Sequence, residues 1–181
     1  GPVIVSGATG GVGSLAVDIL ARLGYHVVAL TGKAGEADYL RRLGAAEVML
    51  RDELDLARIR PLDRARWAGA VDNLGGDVLA WMASTMMQGG TIASIGLAAS
   101  MNLNTTVAPF ILRGVSLLGV DSGYIGEPYR HNVWQRLASD MRPPHLATMA
   151  RQIAFDELPA TFDQYIAGHA KGRVVVAIGG A

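Results

Sequence analysis

Apolar residues fall along this chain in short blocks that alternate between two periods. "PVIVS" (Pro2 to Ser6) is a β-branched run with no polar interruption, the mark of a strand buried on both faces. "GVGSLAVDILARLG" follows, with Val12, Leu15, Ala16, Ile19, Leu20 and Leu23 at helical spacing and Gly24 placed to end it. The alternation continues. "HVVALT" predicts a second strand, "GEADYLRRLG" a second helix closing at Gly44, and "EVML" a third strand. "GAVDNLGG" predicts a fourth strand and turn, "DVLAWMASTMM" a helix, and "GGTIASIGL" a fifth strand. The short helix "APFIL" then leads to a sixth strand, "GVSLLGVDS". Strands alternating with helices, with glycine at the strand exits, imply an α/β fold built on a doubly wound parallel sheet. After Ser122 the pattern changes to an amphipathic helix, "YRHNVWQRLASDM", a break at "RPPH", and a strand-helix-strand return in "QIAFDELPATFDQYIAGHAKGRVVVAI".

At 181 residues, half of them hydrophobic, the chain can bury one substantial core. We expect a main domain over residues 1–140 and a C-terminal segment over 141–181, with too few strands for a core of its own. The apolar strand at the very start suggests a domain taken from something larger. Lys plus Arg equals Asp plus Glu at 16 each, so no general field draws the protein to nucleic acid or to an anionic membrane. Any anion must be held locally. There is no cysteine, and His26, His131, His145 and His169 lack metal-ligand spacing, so a metal site is not expected. No apolar run reaches the roughly 20 residues of a membrane span, and the start lacks a signal-peptide layout. A cytoplasmic protein is the simplest expectation.

Two stretches carry candidate chemistry. Gly7, Gly10, Gly11 and Gly13 lie between the first strand and first helix. Bare backbone there lets a pyrophosphate approach the positive end of the helix, Thr9 adds a hydroxyl, and Gly13 permits close helix-strand packing. Any tight turn favours glycine, but a turn that follows the first strand and opens a helix points to a dinucleotide. The second strand then ends in Thr31-Gly32-Lys33, about 20 residues on, where an NAD site places a carboxylate on the ribose 2′-hydroxyl. A hydroxyl, a glycine N–H and an ammonium would instead donate to a 2′-phosphate, which favours NADPH. Arg51, after the third strand, suits the adenine face, the same phosphate, or a surface pair with Asp52 or Glu53.

The segments "SGATGGVGSLAVDILARLGYHVVALTGK", "YLRRLGA", "WAGAVDNLGG", "GGTIASIGLA", "TTVAPFILRGVSLLGVDS" and "KGRVVVAI" resemble the acryloyl-CoA reductase and quinone oxidoreductase branch of the medium-chain dehydrogenase/reductase superfamily. The resemblance runs over nearly the whole chain, and the fifth segment is its most specific part. It implies a Rossmann fold in which Thr9, Gly10, Gly11 and Val12 hold the pyrophosphate. Thr31, Gly32 and Lys33 would hold the 2′-phosphate, with Arg51 near the adenosine. Leu97, Ile111 and Ser122 would approach the nicotinamide half, although by residue type alone the first two suit a core and the third a loop cap. The implied chemistry is zinc-independent hydride transfer from NADPH to an unsaturated acyl-CoA, an enone or a quinone. Homodimers form in that branch through the edge strand, here near 114–122.

That branch also carries an N-terminal catalytic barrel ahead of the glycine turn, which is not in this sequence, and Gly168 stands where some relatives are polar. The chain alone is therefore expected to bind NADPH without turning over substrate, and residues 141–181 to complete the barrel domain. No catalytic residue is assigned; Tyr124 is a hydroxyl in a loop equally suited to flexibility. The competing reading is a short-chain dehydrogenase or a non-catalytic sensor of that class, whose opening turn "SGATGGVG" also resembles. That catalysis needs lysine four residues after a tyrosine. Tyr25, Tyr39, Tyr124, Tyr129 and Tyr165 are followed there by Ala29, Leu43, Pro128, Val133 and His169.

Overall fold

The computed structural model describes residues 1–179. Its main sheet has six parallel strands: β1 (Val3–Val5), β2 (Val27–Thr31), β3 (Glu47–Leu50), β4 (Trp67–Asp72), β5 (Met86–Ser94) and β6 (Ser116–Gly119). They lie in the order β3-β2-β1-β4-β5-β6, so the chain reverses direction across the sheet between β1 and β4. Val3 pairs with Val27 on one side and with Gly69 on the other. The crevice at that reversal is where an open parallel sheet binds ligands.

Period-two alternation divides the strand residues between two cores. Ile4, Val28 and Leu30 face α3 (Gly76–Thr85) with Trp67, Trp81, Met82, Met86 and Ile92. Val5, Val27 and Ala29 face the opposite way, toward Val17 of α1 (Gly11–Arg22) and Leu40 of α2 (Ala37–Arg42). Helices on both faces leave β1 and β2 buried along their whole length, which accounts for their apolar composition. α3 has nine buried residues of its ten. Its C-terminal end is held by Arg113 of α4 (Ala108–Arg113), whose guanidinium donates to the carbonyls of Ser84 and Met86 at 2.9 Å each and to that of Asp63.

Two local expectations need correction. Met86 and Met87 belong to β5, not to α3: Met86 pairs with Trp67, and the register shifts before Gly69 meets Thr91. An unbroken apolar run suits both elements, and only the pairing with β4 separates them. The helix over 129–141, α5 (Tyr129–Ala138), has an apolar stripe but buries no residue.

The C-terminal segment forms a second sheet of two parallel strands, β7 (Ala150–Ala154) and β8 (Arg173–Ala177), joined through α7 (Leu158–Ile166). Several contacts fasten it to the main domain, three of them at α1 and the glycine loop. Met149, ending α6 (Leu146–Met149), enters the core beside α1. Asp18 of α1, 1% exposed, accepts the His145 backbone N–H at 3.0 Å and contacts its Nδ1 at 2.8 Å. Gly172 donates its N–H to the Thr9 carbonyl at 2.9 Å. Gly172 has φ +59°, and a Cβ there would stand 3.0 Å from the Met149 carbonyl carbon, so this crossing requires glycine.

Candidate functional site

The exits of β1 and β4 are bolted together under the crevice. Asp72 is fully buried and accepts the Ser6 hydroxyl at 2.8 Å and the N–H groups of Leu74 and Gly75 at 3.1 and 3.0 Å. Asn73 returns the connection, its side chain donating to the Ser6 carbonyl at 2.7 Å. Three donors compensate the buried carboxylate and fix the turn on which the glycine loop rests.

The loop tightens through a Gly10 N–H to Gly7 carbonyl bond of 2.9 Å and passes into α1 at Gly11. Gly10 offers no side-chain cap, so the first-turn N–H groups face outward for an external acceptor. Gly13 is buried against the loop: a Cβ there would lie 2.7 Å from Ala8 Cα. Ser14 donates to the Ala8 carbonyl at 3.2 Å and accepts the Tyr39 hydroxyl at 2.9 Å, which ties α1, the loop and α2 together.

A cleft of about 690 Å³ opens over this loop. Thr9 to Gly13, Thr31 to Lys33, Arg51 and Leu97 all line it. Thr31 is 2% exposed; its hydroxyl lies 3.5 Å from that of Thr9 and accepts the Lys33 N–H at 3.1 Å. Gly32 is open, and the Arg51 guanidinium covers it, 3.3 Å from where a Cβ would stand. The Lys33 ammonium donates to the Ala170 carbonyl. Burial lowers the Lys33 pKa from the ordinary lysine range; Glu36 opposes the shift and Lys171 adds to it.

A second cleft, about 490 Å³, continues past Ile95, Gly96 and Leu97 to Gly119, Val120 and Asp121 at the exit of β6. Leu97 is 63% exposed and lines both clefts, so it is not core. Ile111 is 73% exposed on α4 and Ser122 is an exposed residue just beyond Asp121; neither lines a cleft. Tyr124 is 91% exposed and also stands outside both.

Arg173 was not legible as a site residue. Its guanidinium lies against Gly11, with Nε 2.5 Å from where a Cβ would stand, and Arg173 lines the main cleft beside His169. Its one sequence signal is a cation that follows glycine at a strand start, and nothing local connects it to a loop some 160 residues earlier.

A parallel sheet in this order, with an uncapped glycine loop at its switch point and cations at the exit of β2, defines a dinucleotide-binding domain of Rossmann type. The zinc-binding dehydrogenase family model matches residues 11–139, and the chain belongs to that family as a nucleotide-binding half of the medium-chain dehydrogenase/reductase type. It is 46% identical over 178 residues to the acrylyl-CoA reductase AcuI of Ruegeria pomeroyi, covering 97% of this chain and 53% of that protein. The crystal structure of Escherichia coli K-12 YhdH with bound NADPH superposes with a TM-score of 0.93 at 44% identity, over 99% of this chain and 55% of that one. Bacillus subtilis YhfP with bound NAD gives 0.92 at 44% identity, over 98% and 54%. The chain thus spans about half the length of the relatives it matches. Although the family's name refers to zinc, no three His, Cys, Asp or Glu side chains form a ligand set among the described residues, and we assign none to a metal. Nor is any helix among them long and apolar enough to cross a membrane.

Proposed function

We propose that this chain is the NADPH-binding part of an oxidoreductase that reduces an activated C=C bond, in an acryloyl-CoA-type thioester, an enone or a quinone. The observation that carries the cofactor choice is Lys33 at the exit of β2, where an NAD site has a carboxylate. Similar relatives are seen with NADPH in one case and NAD in another, so the preference has to come from residues of this chain. The cleft fits a dinucleotide: bare glycines at 10 and 11 permit close approach, and the α1 N-terminus is uncapped.

Bound NADPH would supply a hydride from the nicotinamide C4. The first turn of α1 and Arg173 would hold the pyrophosphate, Gly32 and Lys33 the 2′-phosphate, and Arg51 the adenosine side. The Ile95–Leu97 edge would guide the nicotinamide toward the second cleft, with Val120 and Asp121 beside it. Reduction of the C=C bond balances as a hydride to the β-carbon and a proton to the α-carbon, and no residue here is assigned as proton donor. The 141–181 segment, which leaves Phe162, Ile166 and Ile178 exposed at 56%, 85% and 86%, would complete the catalytic domain found in longer relatives. β6, an edge strand with Leu118 at 54% exposure and Val120 just beyond its end at 44%, would pair with a second copy. A wholly monomeric solution over a wide concentration range would remove that last element.

Lys33→Asp tests the central reading. A charge-assisted contact of roughly 1.5–3 kcal/mol corresponds to about a ten- to hundredfold loss in NADPH affinity. NADH binding should be unchanged or improved. Equal loss of both cofactors in calorimetry would contradict the assignment. Turnover of acryloyl-CoA by the 181 residues alone would contradict the need for a further domain.

A further inference from the structure

Lys33 is not the only cation at the exit of β2. The loop between α7 and β8 brings Lys171 to the same place from the far end of the chain. Its ammonium lies 2.8 Å from Glu36 Oε2 and 5.1 Å from the centre of the Tyr39 ring. Ala170, its neighbour, accepts the Lys33 ammonium, and Glu36 donates its backbone N–H to the Lys33 carbonyl at 3.1 Å. Lys33, Glu36 and Lys171 therefore form one cluster with a net charge of +1, in which the single carboxylate is held by Lys171. His169 lines both the main cleft and a smaller one, about 240 Å³, where Lys171 and Glu36 sit. The two spaces adjoin.

We infer that Lys171 is a specificity-determining residue for the 2′-phosphate: when the cofactor binds, its ammonium passes from Glu36 to the phosphate and shares it with Lys33. The inference rests on the NADPH reading above. A phosphate monoester carries close to two negative charges at neutral pH. One ammonium leaves it half neutralised, beside a carboxylate that repels it. A second ammonium on a flexible stem, already steered to the rim by the Tyr39 ring, supplies the missing charge. Glu36 then acts as its resting partner, which keeps two ammonium groups from facing each other without a counter-charge.

Calorimetry of the full 181-residue chain with NADPH and with NADH tests this in Lys171→Met, Lys171→Arg, Glu36→Gln and the double variant Glu36→Gln/Lys171→Met. Loss of one charge-assisted contact should weaken NADPH about tenfold in Lys171→Met and leave NADH within about twofold. Lys171→Arg keeps the preference. Glu36→Gln, by releasing Lys171 and removing the repelling carboxylate, tightens NADPH a few-fold, and the double variant, freed of that repulsion, recovers part of the loss of Lys171→Met but stays below the parent. Unaltered NADPH affinity in Lys171→Met overturns the inference, as does an equal loss for both cofactors. A double variant that regains the parent affinity also overturns it, because Lys171 would then only mask Glu36. Each of those results leaves the Lys33 assignment standing. A parent chain with no preference for NADPH overturns both.

Discussion

Two glycines, two positions apart in the same helical turn, should respond oppositely to the same added methyl group. A Cβ on Gly13 would stand 2.7 Å from Ala8 Cα and 2.9 Å from the Gly7 carbonyl carbon, all backbone held by the Ala8 N–H to Leu30 carbonyl bond of 3.1 Å and the Gly10 N–H to Gly7 carbonyl bond of 2.9 Å. Overpacking of that kind costs about 1–3 kcal/mol, and often more where the obstacle is backbone. Replacing helical glycine by alanine returns up to about 1 kcal/mol, so Gly13→Ala should lose a net ~1–2 kcal/mol. For a chain of this size that lowers Tm by roughly 2–8 °C. A Cβ on Gly11 meets only the end of the Arg173 side chain, which is exposed and can rotate away. Gly11→Ala should therefore melt within about 2 °C of the parent, its small helix gain offset by the displaced guanidinium. Because Arg173 moves off the loop, the same variant should still bind NADPH more weakly. Thermal unfolding by circular dichroism, with and without NADPH, reads both effects. The reasoning is refuted if Gly13→Ala melts with the parent, or if Gly11→Ala falls as far as Gly13→Ala.

Other consequences follow from single contacts. Asp18→Ala removes the acceptor of two His145 bonds from a buried position and should cost about 1–3 kcal/mol. The urea midpoint should fall and protease cleavage near 139–146 should quicken; an unchanged midpoint would count against the anchor. Arg113→Met leaves the carbonyls of Ser84, Met86 and Asp63 without their shared donor. A loss of roughly 1.5–3 kcal/mol is expected by chemical denaturation, with NADPH affinity intact in the native baseline. Lys33 gives a pH signature. Its pKa is lowered by burial, so NADPH affinity should be flat near neutrality and decline on the alkaline side before an ordinary lysine titrates, while NADH affinity declines less. Between the lowered folded value and the unfolded one, the unfolded chain holds more protons. This group's penalty on folding is therefore full below that window and relieved as pH rises through it. Matched NADPH and NADH titrations at increasing pH check the binding part, and parallel profiles would contradict it.

The order of elements was readable from the chain because it depends on short-range rules. Buried parallel strands demand unbroken β-branched runs such as Val3–Val5, helices demand the spacing seen from Val12 to Leu23, and close packing of the loop on α1 demands glycine at 13. The replacement of a carboxylate by Thr31-Gly32-Lys33 was equally local. What lies far apart in sequence was decided by the tertiary structure. The boundary between α3 and β5 depends on Met86 pairing with Trp67, which no periodicity in one apolar run expresses. The exposure of Leu97 and Ile111, whose types suit a core, depends on which elements cover them. Most of all, Arg173 reaches the cleft, and Lys171 reaches Glu36, because the C-terminal strands fold back onto α1 through Asp18, Met149 and Gly172. Lys33 and Ala170, 137 positions apart, meet only once that docking has closed the chain. The local pattern determines which segments can be strand, helix or phosphate turn; long-range burial alone determines which charges gather around that turn.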